Sequence, residues 1–303
     1  MGIMECSNMH IEYRVPDNYD NQKVSQILNN HLKFSRGEIR KIKRCGGLVV
    51  NDQPVRLNWL VKEGDLIRVD FQEEDDQPVI PQDMPLNIIF EDEHILVVNK
   101  PANMLVHPLS YHVLNTLANG VIFHWQLQGH NSKFRAVSRL DKDTSGIILI
   151  AKSSYICHQL TGQMKSGLCR REYLAVAHNR MAMDSGIIDF PIGRPHDHSL
   201  IFGVTPRGKA AITHYTLLQR FASGSLVKLR LETGRTHQIR VHMKHLGHPL
   251  MGDDLYGGSL ELIGRQALHS WRLEFSHPVT KENIRLEAPL PADMTSLIHK
   301  LEK

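Results

Sequence analysis

Arg135-Ala136-Val137-Ser138-Arg139-Leu140-Asp141-Lys142-Asp143-Thr144-Ser145-Gly146 runs straight into the apolar stretch Ile147-Ile148-Leu149-Ile150-Ala151. A segment dense in side-chain donors and acceptors thus leads into a continuous apolar run of the kind that forms a strand buried on both faces. Such a loop holds an acid, Asp141, at the edge of a rigid core. Asp141 is then either an anchor that caps local amides or the reactive group of a site. Arg139, two residues earlier in extended chain, points the same way. Asp143 shares that side as well, which raises a paired-carboxylate reading as in a glycosidase. Two acids on one short loop rarely reach the opposed separation that such chemistry needs.

Outward from this strand, further extended segments are legible at Ile95 to Val98, Tyr173 to Ala177, Leu226 to Glu232 and Leu273 to Phe275. In Val227-Lys228-Leu229-Arg230-Leu231-Glu232 apolar and charged residues alternate, as in a strand buried on one face. Helical stretches are fewer and do not alternate regularly with the strands. The pattern predicts an α+β fold, with a mixed, mostly antiparallel sheet flanked by helices, over 86–303.

Before that domain lies a smaller unit, over 20–71. Val24, Ile27, Leu28 and Leu32 recur at helical spacing, and Ile39 and Ile42 do so after a break at Ser35-Arg36-Gly37. Ser35 and Glu38 have the spacing of a capping box. Two helices are followed by Gly46-Gly47, a strand Leu48-Val49-Val50, a turn at Asn51-Asp52 and an extended piece ending at Val69. Residues 1–19 show no clear period and read as an extension, a loosely held strand or arm. Residues 72–85 hold Glu73-Glu74-Asp75-Asp76 and three prolines, the composition of a linker.

The chain has 303 residues, with 41% apolar and 22% charged, ample for a core. No apolar run approaches the roughly 18 residues needed to span a bilayer, and the N-terminus lacks the layout of a signal peptide. The expectation is a cytoplasmic protein with no membrane partner. Cys6, Cys45, Cys157 and Cys169 form no C-x-x-C pair, which disfavours a cysteine zinc site. The net charge of +4 permits a nucleic-acid partner without arguing for one.

Charge distribution says more. Between Lys33 and Arg44 stand six basic residues and one acid. Arg36, Arg40 and Lys43/Arg44 follow at i, i+4 and i+7/i+8, one face of a helix. This stripe suits a phosphate backbone, and on spacing alone it suits a solvated surface helix equally.

Two more segments carry chemistry-bearing residues. In Arg170-Arg171-Glu172-Tyr173-Leu174-Ala175-Val176, Tyr173 faces away from Leu174 and Val176; a lone strand tyrosine is ordinarily packing. In Glu232 through Pro249, Thr236 is the expected N-cap of a helix ended by Gly247 and Pro249, with Ile239, Met243 and Leu246 as its buried stripe. Arg235 and Arg240 then sit near the N-terminus, where the macrodipole disfavours cations. Their placement predicts an anion there, a protein carboxylate or a ligand phosphate, against a plain surface ion pair. His237, His242, His245 and His248 lack the i, i+4 spacing of a zincin helix. No metal is expected.

The small unit resembles the alpha-L RNA-binding module, through Ser35-Arg36-Gly37-Glu38-Ile39, Gly47 through Val55 and Val61-Lys62-Glu63-Gly64-Asp65. The larger domain resembles RluA-type pseudouridine synthases. The matches are Val98-Asn99-Lys100-Pro101 with Val106-His107-Pro108, Ser138 through Gly146, Glu172-Tyr173-Leu174-Ala175, Thr233 through Arg240, His248-Pro249-Leu250 with Gly252-Asp253, and Leu268-His269 with Phe275-Ser276-His277-Pro278. Ser138 stands where that family often has histidine, and Asn103 where glycine usually follows the Lys-Pro pair.

The resemblance implies isomerisation of uridine to pseudouridine in a folded RNA, with no cofactor or metal. Asp141 would be the catalytic aspartate and Arg240 its partner. Tyr173 would stack on the uracil, Ile239 would form the apolar wall opposite, and Arg139 would fill the space left by the everted uridine. Arg36, Arg40, Lys43 and Arg44 would bind RNA. Ribosomal RNA of the large subunit is the expected substrate, with transfer RNA as the other candidate and a monomer as the default state. A catalytically silent RNA-binding or ribosome-assembly factor on the same fold is the competing reading.

Overall fold

The structure is a computed structural model. It describes residues 4–6, 10–34, 36–45, 47–70, 79–130, 132–196 and 201–303, with backbone alone at residues 4–6, 36, 41 and 43–45. The described residues form sheets of ten, five and two strands, the last pairing Ile192–Gly193 with Gly203–Val204.

The largest sheet has ten strands. Its main order is Ser185–Asp189, Ile212–Arg220, Gly224–Leu231, Arg170–His178, Leu268–Ser276, Ser145–Ala151, Ile95–Lys100 and Ile88–Glu91. Asn283–Glu287 pairs with Leu268–Ser276, and Arg135–Ala136 with Ser145–Ala151. Every pairing is antiparallel except that of Ser145–Ala151 with Leu268–Ser276. The expected mixed, mostly antiparallel sheet is present.

The central strand Ser145–Ala151 is buried at all seven positions. Its alternate side chains serve two cores. Ile148 and Ile150 meet Leu96, Val98 and the helix Leu117–Leu127, while Ile147 and Leu149 meet Ile95, Val97 and the helix Ser154–Lys165. That double burial explains the unbroken apolar run and fixes the loop ahead of it. Gly146 permits the parallel pairing: at φ +111° its missing Cβ would lie 2.2 Å from the Ser270 carbonyl oxygen.

The five-stranded sheet runs Met4–Cys6, His10–Arg14, Leu66–Asp70, Leu48–Val50, Gln53–Pro54. Asn51 and Asp52 take φ of +49° and +62°, the two left-handed positions of a tight hairpin. The helix Val24–Gln26 continues as the wider turn Ile27–His31, and a second helix spans Arg36–Cys45. Of the extension at 1–19, read as a loosely held strand or arm, residues 10–14 form a strand, and it is firmly held. His10–Arg14 pairs along Leu66–Asp70, and Ile11, Tyr13 and Val15 are core residues of this unit. Apolar positions two apart carried that signal. The capping box expected at Ser35 lies outside the described residues.

The two units pack together. The rings of Phe34 and Tyr155 lie 5.0 Å apart, and Gln159 Nε2 donates to the Leu32 carbonyl at 3.2 Å. Of the linker, residues 72–78 lie outside the described residues. Residues 79–85 lie along the larger unit: Asn119 Nδ2 donates to the Ile80 carbonyl at 2.7 Å, and Gln82 exchanges two hydrogen bonds with Asn115.

Candidate active site

A cleft of about 890 Å³ opens beside the central strand. Three elements supply its chemistry. The loop before Ser145–Ala151 brings Arg139 and Asp141, the strand Arg170–His178 brings Tyr173, and the helix Gln238–His245 brings Ile239 and Arg240.

The loop is held from below by Lys100. This fully buried ammonium donates to the carbonyls of Pro101 at 2.8 Å, Met104 at 2.9 Å and Lys142 at 3.0 Å. Burial pushes the amine down to about 7, while nearby Asp143 works the other way. Asn103 completes the turn at φ +59°, a left-handed position that asparagine tolerates in place of glycine.

Asp141 keeps 28% of its side chain exposed to the cleft and accepts from Arg240 Nη1 at 3.1 Å. Arg240 is nearly sealed. Its Nε and Nη2 donate to the two carboxylate oxygens of Asp253 at 2.7 and 2.8 Å. That fork-to-fork pair fixes the guanidinium plane and leaves Nη1 for Asp141. Burial opposes the guanidinium charge, but the hydrogen bonds and charge of Asp253, then those of Asp141, outweigh it and hold Arg240 above its ordinary range. The guanidinium also lies 5.0 Å from the centre of the Tyr256 ring. The anion expected near this helix start is therefore a pair of protein carboxylates. Arg235 instead donates to the Ala210 carbonyl at 2.9 Å.

Helix entry differs from the expectation at Thr236. The residue before the helix is His237, left-handed at φ +55°, and Thr236 does not cap it. His237 bonds through Nδ1 to the Tyr256 hydroxyl at 2.9 Å, and its Nε2 lies 3.9 Å from Asp141 Oδ2. Burial pushes this imidazole below its ordinary value against the raising effect of Asp141. The helix is also buried more widely than the stripe Ile239, Met243 and Leu246: Gln238 through Met243 are all buried. His242 is fully buried against Thr213 and the Phe190 carbonyl, His245 packs on the Phe190 ring, and His248 bonds to the His178 carbonyl. Among the described residues no group of three histidine, cysteine or acidic side chains could hold a metal ion.

Tyr173 sits on the cleft side of its strand, in one apolar cluster with Leu229, Ile239 and Met243. The neighbouring strand Leu268–Ser276 is bulged there: Arg272 pairs with Glu172 and Ser270 with Tyr173, which leaves Trp271 as the extra residue. Burial raises the Tyr173 phenol above its ordinary value. Arg139 is exposed at the rim. Asp143 does not line the cleft; its carbonyl accepts from Arg265 at 3.0 Å. The paired-carboxylate arrangement is absent at this cleft. Of the basic stripe, Arg40 is exposed on the helix Arg36–Cys45, and the side chains of Arg36, Lys43 and Arg44 lie outside the described residues.

Sequence reasoning assigned no role to Asp253, His237 or Lys100. A lysine ending the apolar run Ile95–Val98, and an aspartate set among glycines in Gly252-Asp253, were the available signals.

The cleft thus gathers an acid, an arginine, a tyrosine and an aliphatic side chain from three elements, and comparisons with known proteins show the family to which the chain belongs. The family model described as RNA pseudouridylate synthase matches residues 94–245. The uncharacterized RNA pseudouridine synthase YjbO of Bacillus subtilis (strain 168) is 47% identical over 276 residues, covering 91% of this chain and 94% of that protein. Ribosomal large subunit pseudouridine synthase D of Vibrio cholerae serotype O1 is 37% identical, covering 93% of this chain and 92% of that protein. The chain belongs to the RNA pseudouridine synthases, in their RluA-type branch. Among solved structures, human RNA pseudouridylate synthase domain containing 4 shares the fold, with a TM-score of 0.59 at 24% identity over 71% of this chain and 92% of that one.

Proposed function

We propose that this enzyme converts uridine to pseudouridine in large-subunit ribosomal RNA, with Asp141 as the catalytic aspartate. In the reaction the bond from N1 to the sugar breaks and a bond from C5 to the same sugar carbon forms. The proton lost from C5 is balanced by one gained at N1, so no redox partner is consumed. The observation that carries this reading is the Asp141 carboxylate, open to the cleft and held 3.1 Å from Arg240. Asp141 acts on the sugar, as nucleophile or base. Arg240 is a positioning residue that keeps this carboxylate aimed into the cleft.

Tyr173 offers its face to the uracil, with Ile239 as the wall opposite. Its buried phenol stays protonated at neutral pH, which favours stacking as its first contribution. Arg139, at the rim, takes the space the uridine leaves; eversion costs a few kcal/mol, and least in a loop. Arg36, Arg40, Lys43 and Arg44 of an alpha-L module, residues 20–71, grip the RNA backbone for the catalytic domain, 86–303. The reading is of a monomer acting in the cytoplasm. The ribosomal substrate is supported by relatives named as large-subunit synthases.

Asp141→Asn tests the assignment. Pseudouridine mapping of total RNA from cells carrying this variant should match that of cells lacking the protein, while RNA affinity of the purified variant stays within a few-fold of wild type. Wild-type modification by the variant would refute the role, and a site restored outside large-subunit RNA would refute the substrate.

A further inference from the structure

One ordered loop at the mouth of the cleft is apolar where it meets solvent. Its feet are pinned. Leu117 N donates to the Leu105 carbonyl at 2.8 Å and Ala118 N to the Val106 carbonyl at 3.1 Å. On the way back, Asn119 Nδ2 donates to the Val113 carbonyl at 3.0 Å, and Asn115 is bonded twice to Gln82. The tip is closed too: Leu109 and His112 exchange backbone hydrogen bonds, both 2.9 Å, so Ser110 and Tyr111 form a tight two-residue turn.

This frame presents Leu109, Val113 and Leu114 at 40–48% exposure and Tyr111 at 85%. A fixed loop that holds four large apolar side chains in water within six residues gains nothing from them in the free protein. The loop is continuous with the cleft. Leu105, His107 and Leu109 line the same cavity as Arg139 and Asp141. His107 is braced edge-on against Phe134, with ring centres 4.9 Å apart.

We propose that this loop is a stacking platform for the substrate RNA, with Tyr111 laid against a nucleobase that flanks the everted uridine. The inference rests on the isomerase reading above and names how that site grips its substrate. Single-stranded RNA offers bases with both faces free, and an aromatic ring on a preformed turn meets one without further ordering cost. A base stacked outside the cleft would also hold the strand while its neighbour is turned inward. Tyr111 is far too exposed to support the fold, so its role is read in binding alone.

The test compares the wild type with Tyr111→Ala and Tyr111→Phe. Initial rates of pseudouridine formation are followed in total RNA from cells that lack the enzyme, at limiting and at saturating RNA. Tyr111→Ala should raise KM about tenfold with kcat unchanged, and Tyr111→Phe should restore wild-type KM, with equal thermal midpoints for all three. A KM within twofold of wild type for Tyr111→Ala, or a Phe variant as weak as the Ala variant, overturns the platform and leaves the isomerase reading standing. If the wild type leaves that RNA unmodified, the isomerase reading falls. The platform then stands or falls on filter retention of the same RNA, which Tyr111→Ala must weaken about tenfold.

Discussion

Asp141 shows what an acid on a short loop needs before it can work. The carboxylate is held by Arg240, and Arg240 is itself held by Asp253, which is fully buried. Removing one partner of such a buried set leaves a charge half-compensated, at a cost of about 3–5 kcal/mol. Asp253→Ala should therefore lower the urea midpoint markedly. Its kcat should fall about 100-fold, because the carboxylate of Asp141 loses its aim, while RNA affinity holds. Full activity in that variant would show that Asp141 needs no such support. Asp141, Tyr173, Arg139, Ile239 and Arg240 were readable from motifs, since each sits in a stretch of distinctive residue types. Asp253 and His237 were not, because their roles exist only through the residues they touch.

Among the elements, the central strand carries the argument. Its seven residues are apolar or small because both faces are covered, and that pattern is visible without coordinates. Its neighbour on the parallel side is not visible, since Leu268–Ser276 lies more than a hundred residues away and reaches it by tertiary contact alone. Gly146 records that contact. In Gly146→Ala the new methyl would enter the Ser270 backbone, and the left-handed φ would strain the alanine. The expected loss is about 3 kcal/mol or more, measured as a shifted urea midpoint, with the loop of Asp141 displaced and activity falling in step. An unshifted midpoint would mean that the two strands separate there at no cost. The helix Gln238–His245 was misjudged for a related reason. A surface-helix stripe was expected, yet the helix is wedged between the sheet and the segment around Tyr256, so polar Gln238, Arg240 and His242 are buried with their partners.

Between the two units, Phe34 against Tyr155 and Gln159 against the Leu32 carbonyl set the small unit on the helix Ser154–Lys165. The far end of that helix, at Thr161, Met164 and Lys165, borders the cleft. Substituting Arg40, Lys43 and Arg44 by glutamine together should weaken RNA binding and reduce the slope of log K against log salt by about two to three. The measurement is a salt titration of affinity, with kcat at saturating RNA unchanged. An unaltered slope would make the basic stripe a solvated surface.

Periodicity settled the α+β class, because covalent neighbours report their own burial through residue type, and motif order named five side chains that the structure brings to one cleft. The docking of the small unit and the Asp253 brace under Arg240 emerged only when distant segments were brought together. These are contacts between residues far apart along the chain, and no local pattern records which buried charge will find which partner.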